Sequence, residues 1–211
     1  RLFSDIDGIV YLRNNEAGMK NVHLKINKSD FEVNGVFKDI FKYFNKEGDL
    51  IADVDIKSKR INISDLGTES KEEKKAQQRT YMLPNDIKGH VYLDVKKMDY
   101  ESHLFQELKG NISVENRSII FHKISGRNGG ADIRGTLKIE ERNPEYFYLT
   151  TNLVSKNIKF KSMFKEWSNF NQDVIKSSNI RGVAQANVAF EAPFDLRNGI
   201  SSNGIISTIG L

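Results

Sequence analysis

Over most of the chain apolar and polar side chains alternate with a period of two. That spacing belongs to strands carrying one greasy face and one wet face. In "DIKGHVYLDV" Ile87, Val91, Leu93 and Val95 share one phase, while Lys88, His90, Tyr92 and Asp94 share the other. In "ADIRGTLKI" Ala131, Ile133, Leu137 and Ile139 alternate with Asp132, Arg134, Thr136 and Lys138. "LIADVDI", "NVHLKIN", "FEVNGVF", "RINIS", "FYLTTNLV" and "GVAQANVAF" repeat the pattern, so at least eight strands are expected. One-sided alternation points to antiparallel pairing, because strands of an all-parallel sheet are covered on both faces and read as continuous apolar runs.

Two stretches change period. Phe37, Ile40, Phe41 and Phe44 fall at i, i+3, i+4 and i+7, which predicts a short helix or a turn ended by Gly48. "FKSMFKEWSNFNQ", residues 160–172, carries four aromatic residues in thirteen positions, with Phe160, Met163, Phe164, Trp167 and Phe170 at helical spacing. Lys161, Lys165, Glu166 and Ser168 occupy the other side. This stretch is expected to form an amphipathic helix joining two strands, with Phe160, Phe164, Trp167 and Phe170 as a plug over an apolar sheet. The alternative is a membrane contact, with Trp167 outward beside Lys161 and Lys165.

"GTESKEEKKAQQRT", residues 67–80, has dense charge and no apolar period, and is expected to be a flexible, solvated loop. The chain also repeats itself loosely. "DIDGIVYL", "DIKGHVYL" and "NIRGVAQA" share Asp/Asn-Ile-x-Gly before a strand, and Gly35 and Gly135 sit mid-strand where bulges or bends would curl a sheet. The expected fold is mostly β: an antiparallel curled sheet, either an open groove or a partly closed sandwich, with one or two short amphipathic helices.

Composition narrows the chemistry more than it adds to it. Thirty-two basic against 28 acidic residues leave a formal charge of +4, too even and too scattered for a nucleic-acid surface. The chain has no cysteine, which removes thiol nucleophiles, disulfides and thiolate-bound metals. The four histidines, His23, His90, His103 and His122, stand outside any ligand spacing. "SGRNGGADIRG" has the glycines of a phosphate loop but lies between strands, so a hairpin turn is the better reading. Four Asn-x-Ser sequons begin at Asn27, Asn62, Asn111 and Asn116, and nothing else points to a eukaryotic secretory setting. No catalytic residue, metal site or cofactor is expected. No apolar run approaches the roughly 20 residues that span a bilayer. The chain starts at "RLFSDIDGIVYL" without Met, which is read as a piece of a longer polypeptide.

What remains is the apolar face, which is a core if covered and a groove if open. Here a family resemblance enters. Residues 34–66, "NGVFKDIFKYFNKEGDLIADVDIKSKRINISDL", and 86–190 resemble the C-terminal region of AsmA-like proteins of Gram-negative, Bacteroidetes-type bacteria. The resemblance rests on "DVKKMDYESHLFQELKGNISVENRSIIFHKISGRNGGADIRGTL" and on "FKSMFKEWSNFNQDVIKSSNIRGVAQA", in that order. It implies an N-terminal inner-membrane anchor, a β-rich periplasmic body, and a part in outer-membrane assembly. It also implies similarity to bridge-like lipid-transfer proteins, whose curled sheets hold acyl chains. On that reading the partners are lipid acyl chains and other envelope proteins, and the groove lining is Val91, Leu93, Val95, Ile112, Val114, Ile133, Leu137 and Leu149. The rival is a closed β-sandwich that docks envelope components; a hydrolase ranks last.

Overall fold

The computed structural model describes residues 3–66, 83, 85–100, 103–143, 146–195, 199–200 and 205–210. The charged segment 67–80 lies outside them. Strands β1 (Phe3–Arg13), β2 (Glu16–Ile26) and β3 (Ser29–Lys38) form a meander. Its turns are two residues long, and Asn14, Asn15 and Asn27 take φ of 48°, 65° and 53°. Asn tolerates this left-handed region, which matches the twist of tight hairpins. Helix α1 (Ile40–Phe44) leads to β4 (Leu50–Ser58), followed by β5 (Ile61–Asn62) and α2 (Ile63–Leu66).

A second meander comprises β6 (Ile87–Tyr100), β7 (His103–Glu115), β8 (Ser118–Asn128), β9 (Ala131–Asn143) and β10 (Tyr146–Lys159). Helix α3 (Phe160–Glu166) then precedes β11 (Val183–Asp195), β12 (Gly199–Ile200) and β13 (Ile205–Gly210). Eleven strands lie side by side in the order β1-β2-β3-β4-β6-β7-β8-β9-β10-β11-β12, with β5 and β13 paired alongside β6 and β11. The sheet does not close on itself. Every pairing is antiparallel except β4 and β5 against β6. We call the end where β10 enters α3 the head, and the end where β3 enters α1 the foot.

The sheet is curled. Ile61, Val95 and Leu108 form a buried cluster that also takes in Phe31 from β3 and Ile124 from β8. Those two strands are four steps apart, about 19 Å on a flat sheet at 4.8 Å per step, so one shared cluster requires bending. Bulges supply it: the register shifts at Asn21 in β2, Glu107 in β7 and Asn157 in β10, each with φ between 49° and 58°. Glycine supplies the rest. A Cβ on Gly135 would lie 2.0 Å from the Asn152 carbonyl oxygen, and one on Gly89 2.1 Å from that of Ala52, so only glycine permits these strand approaches.

The short helix or turn expected between Phe37 and Gly48 is present as the five-residue α1, which starts only at Ile40 because Phe37 pairs with Ala52 within the sheet. Phe41 and Phe44 are exposed and Ile40 alone is buried, so the helical spacing there marks no packed stripe. The aromatic helix is seven residues long, and past Trp167 the backbone reverses its hand. The parallel step from β4 to β6 has no local signature at all. By contrast, Gly129 and Gly130, with φ of 56° and 83°, form the hairpin turn expected in "SGRNGGADIRG".

Candidate functional site

Cross-strand partners project to the same face of a sheet, so the registers can be followed from strand to strand. One row runs Val54, Val91, Ile112, Phe121, Leu137, Thr151, Phe190 across seven strands. A second runs Ala52, Gly89, Val114, Ile119, Ile139, Leu149, Ala192. A third runs Val33, Ile56, Leu93, Gly110, Ile124, Gly135, Leu153, Val188. Toward the head, Val95 pairs with Leu108, and Ile133 with Ser155.

All eight residues expected to line a groove, from Val91 to Leu149, therefore share one face. Val95 is fully buried at 0% exposure and Ile112 is buried, whereas Val91, Leu93, Val114, Ile133, Leu137 and Leu149 are half-buried. The face thus mixes buried positions, among them Val54, Val95, Leu108, Ile112, Thr151 and Ala192, with half-buried ones. Among the described residues no second sheet or helical layer covers the centre of this face. The Thr151 hydroxyl, itself buried in the middle row, has no hydrogen-bond partner.

Several lining residues were not anticipated from the sequence: Ile119, Phe121, Ile124, Leu153 and Val188. In "SIIFHKIS" the apolar run has no clean phase, because the bulge between Phe121 and Ile124 moves the apolar set from odd to even positions. An apolar run interrupted by two polar residues was the available signal.

The opposite face is an ionic lattice. Asp94 meets Lys96 and Lys109 at 3.6 and 3.4 Å, and Lys57 meets Glu32 at 3.6 Å. His23, His90 and His122 are exposed here. Ser113 and His122 lie 2.8 Å apart beside a depression of about 570 Å³. Ser113 lies near the end of β7, paired with His90 of β6 and Ile120 of β8. Among the described residues there is no group of three metal-ligating side chains, and no helix is long and apolar enough to cross a membrane.

At the foot, polar groups are satisfied by charge. Glu141 projects on the apolar side with only 2% of its side chain exposed, facing Arg117 at 3.5 Å and accepting the Leu83 N–H at 2.9 Å. On the other face Arg142 binds Glu140 and Glu191, with its guanidinium 4.4 Å over the Tyr148 ring, and Lys138 also binds Glu140. The hydrogen bond from Lys138 and then that from Arg142 hold the Glu140 carboxyl below its usual range. The Arg142 hydrogen bond does the same for Glu191.

At the head, aromatic side chains take over. Trp167 packs against the His103 ring at 4.2 Å with a 34° tilt and stacks on Phe170 at 6.1 Å, while Phe170 meets Phe164 edge-on at 5.1 Å. His103 and Phe105 share a face, and the Phe105 partner Met98 packs on the Ile61–Val95–Leu108 cluster. Trp167 thus sits over the head end of the apolar face. None of the four aromatic residues from Phe160 to Phe170 is buried; Phe160 and Phe164 are half-buried, and Trp167 remains 43% exposed. Glu166 ties α3 down, its carboxylate accepting from the Leu104 N–H and the Asn128 amide, each at 3.3 Å.

After Trp167, Ser168, Asn169, Phe170 and Asn171 all take positive φ, from 49° to 55°. Four successive left-handed residues are costly, on the order of 1 kcal/mol each and less for Asn. Gln172 holds the turn: its amide donates to the Asn169 carbonyl at 2.8 Å, and its side-chain oxygen accepts from Val174 and Ile175 N–H at 2.9 Å each. Asn169 in turn accepts the Ser177 N–H at 2.9 Å.

No family model, curated protein or solved structure matches the chain.

Proposed function

We propose that the chain is a non-enzymatic periplasmic segment of an AsmA-like, inner-membrane-anchored protein that binds or conducts lipid acyl chains during outer-membrane assembly. The observation that carries this reading is the set of apolar rows, continuous across seven or more strands, on one face of a sheet that does not close. A monomeric protein normally covers such a face. An acyl chain laid in the trough loses its water at about 0.8 kcal/mol per methylene, so ten methylenes give about 8 kcal/mol, in the micromolar range before ordering costs. The rows offer no directional bonds, so a chain slides from row to row without a chemical step.

The purified protein should carry lipid. Native mass spectrometry and organic extraction are expected to find co-purified phospholipid in substoichiometric to stoichiometric amount. Protein that is folded and lipid-free, and stays so after incubation with phospholipid, contradicts the reading.

A second reading draws on β1. This edge strand exposes Ile9, Val10 and Leu12, a template for strand addition by an envelope partner. It predicts slowed amide exchange in β1 on mixing with that partner, with or without lipid.

A further inference from the structure

The loop at the head inverts the usual order of burial. Its polar groups turn inward to Gln172 and Asn169, while Trp167, Phe170, Val174 and Ile175 turn outward, Val174 at 85% exposure. The strained left-handed turn presents Phe170 where it stacks on Trp167, and the Gln172 hydrogen bonds hold that presentation. A loop built only to connect β10 to β11 has no need of either feature.

The stretch that carries this patch is net basic. Lys159, Lys161, Lys165, Lys176 and Arg181 stand in the stretch against Glu166 and Asp173. Glu166 is spent on the Leu104 N–H and Asn128, and Asp173 on Lys176 at 2.9 Å. Among the described residues Lys159, Lys161, Lys165 and Arg181 have no carboxylate partner. We propose that the head, with Trp167, Phe170, Val174 and Ile175 at its tip, docks on an anionic phospholipid bilayer surface. Trp and Phe enter the interfacial zone between headgroups and acyl chains while the surrounding cations meet the phosphates. A protein partner of acidic character is the competing occupant. The bilayer is favoured because an exposed aromatic pair within a net basic stretch suits a soft interface that supplies apolar depth and negative charge together. The inference stands apart from lipid binding along the trough, since docking needs only the head.

Trp167 is the one tryptophan of the chain, so tryptophan emission, excited selectively over the seven tyrosines, reports on the docking side chain alone. The full chain is mixed with sucrose-loaded vesicles of phosphatidylcholine and phosphatidylglycerol (about 7:3) and, separately, of phosphatidylcholine alone. We expect co-sedimentation with the anionic vesicles, a blue shift of the Trp167 emission, and quenching by lipids brominated near the glycerol end of their chains. Lys161→Gln with Lys165→Gln should lower the partition coefficient roughly 30-fold, and Val174→Asp, at a site too exposed to unfold the chain, roughly tenfold. Protein that merely withdraws lipid into the trough stays in the supernatant, which separates this proposal from the preceding one. Failure to sediment with anionic vesicles, equal binding to neutral ones, or binding insensitive to both variants overturns it. A Trp167 shift evoked by an acidic envelope protein and not by vesicles assigns the head to a protein partner and likewise overturns it.

Discussion

The two ends of strands β7 to β10 belong to the same ladder yet are finished in opposite ways. At the foot, a nearly buried carboxylate, Glu141, gathers a backbone N–H and Arg117, and Arg142 bridges β9 to β11 over Tyr148. At the head, the chain leaves the sheet for 23 residues, stores strain in a left-handed turn and exposes its only tryptophan. Along β7 to β10, ion pairs finish the foot and half-exposed aromatic residues finish the head, although α1 at the foot also exposes Phe41 and Phe44. The foot is where a polar substitution should cost stability most, and the head is where the proposed docking would act.

That contrast is open to direct attack. The largest expected effect lies at the foot. Glu141→Ala leaves the Leu83 N–H without its acceptor and Arg117 without its carboxylate, and should cost about 2 kcal/mol in chemical denaturation, after discount for the half-exposed arginine. A loss below about 0.5 kcal/mol would strip the foot of its structural role.

Acid should act at the same end. Glu140 and Glu191 have carboxyls held below their usual range, so their contribution is complete above the unfolded value near 4.5 and is lost as pH falls through the depressed folded values. The melting temperature should drop with pH below that range. Arg142→Gln should blunt the drop, and Lys165→Gln at the head should leave it unchanged.

At the head the effects on stability are smaller. Trp167→Ala removes packing against His103 and stacking on Phe170 and should cost about 1 kcal/mol. Smallest and opposite in sign, Ser168→Gly relieves one left-handed residue, at φ of 49°, and should stabilise by about 0.5 kcal/mol. A destabilised S168G, seen in the same denaturation experiment, would place the strain elsewhere.

How much of this was legible in the sequence depended on whether a strand keeps its phase. β6 keeps it from Ile87 to Val95, and its three expected lining residues lie side by side on the apolar face. β8 loses it at His122 and Lys123, and Phe121 and Ile124 went unread. Phe37 belongs to β3, where its pairing with Ala52 wins over the helical spacing, while Ile40, Phe41 and Phe44 do fall in the short helix α1. "SNFN" was read as helix although its two asparagines are the residues that best tolerate left-handed backbone. The parallel seat of β4 on β6 is a long-range choice that no local pattern encodes. The Glu141–Leu83 contact, 58 positions apart, was hidden for the same reason.

If the apolar face holds acyl chains, as proposed, and the opposite face does not, the two faces will differ in lipid contact. A photo-reactive benzoylphenylalanine at position 137 points into the middle row, and the same group at position 138 points to the ionic lattice. Illumination in the presence of phospholipid should give a lipid adduct from position 137 and none from 138. Adducts in equal yield from both positions, or from neither in folded protein, would contradict the account.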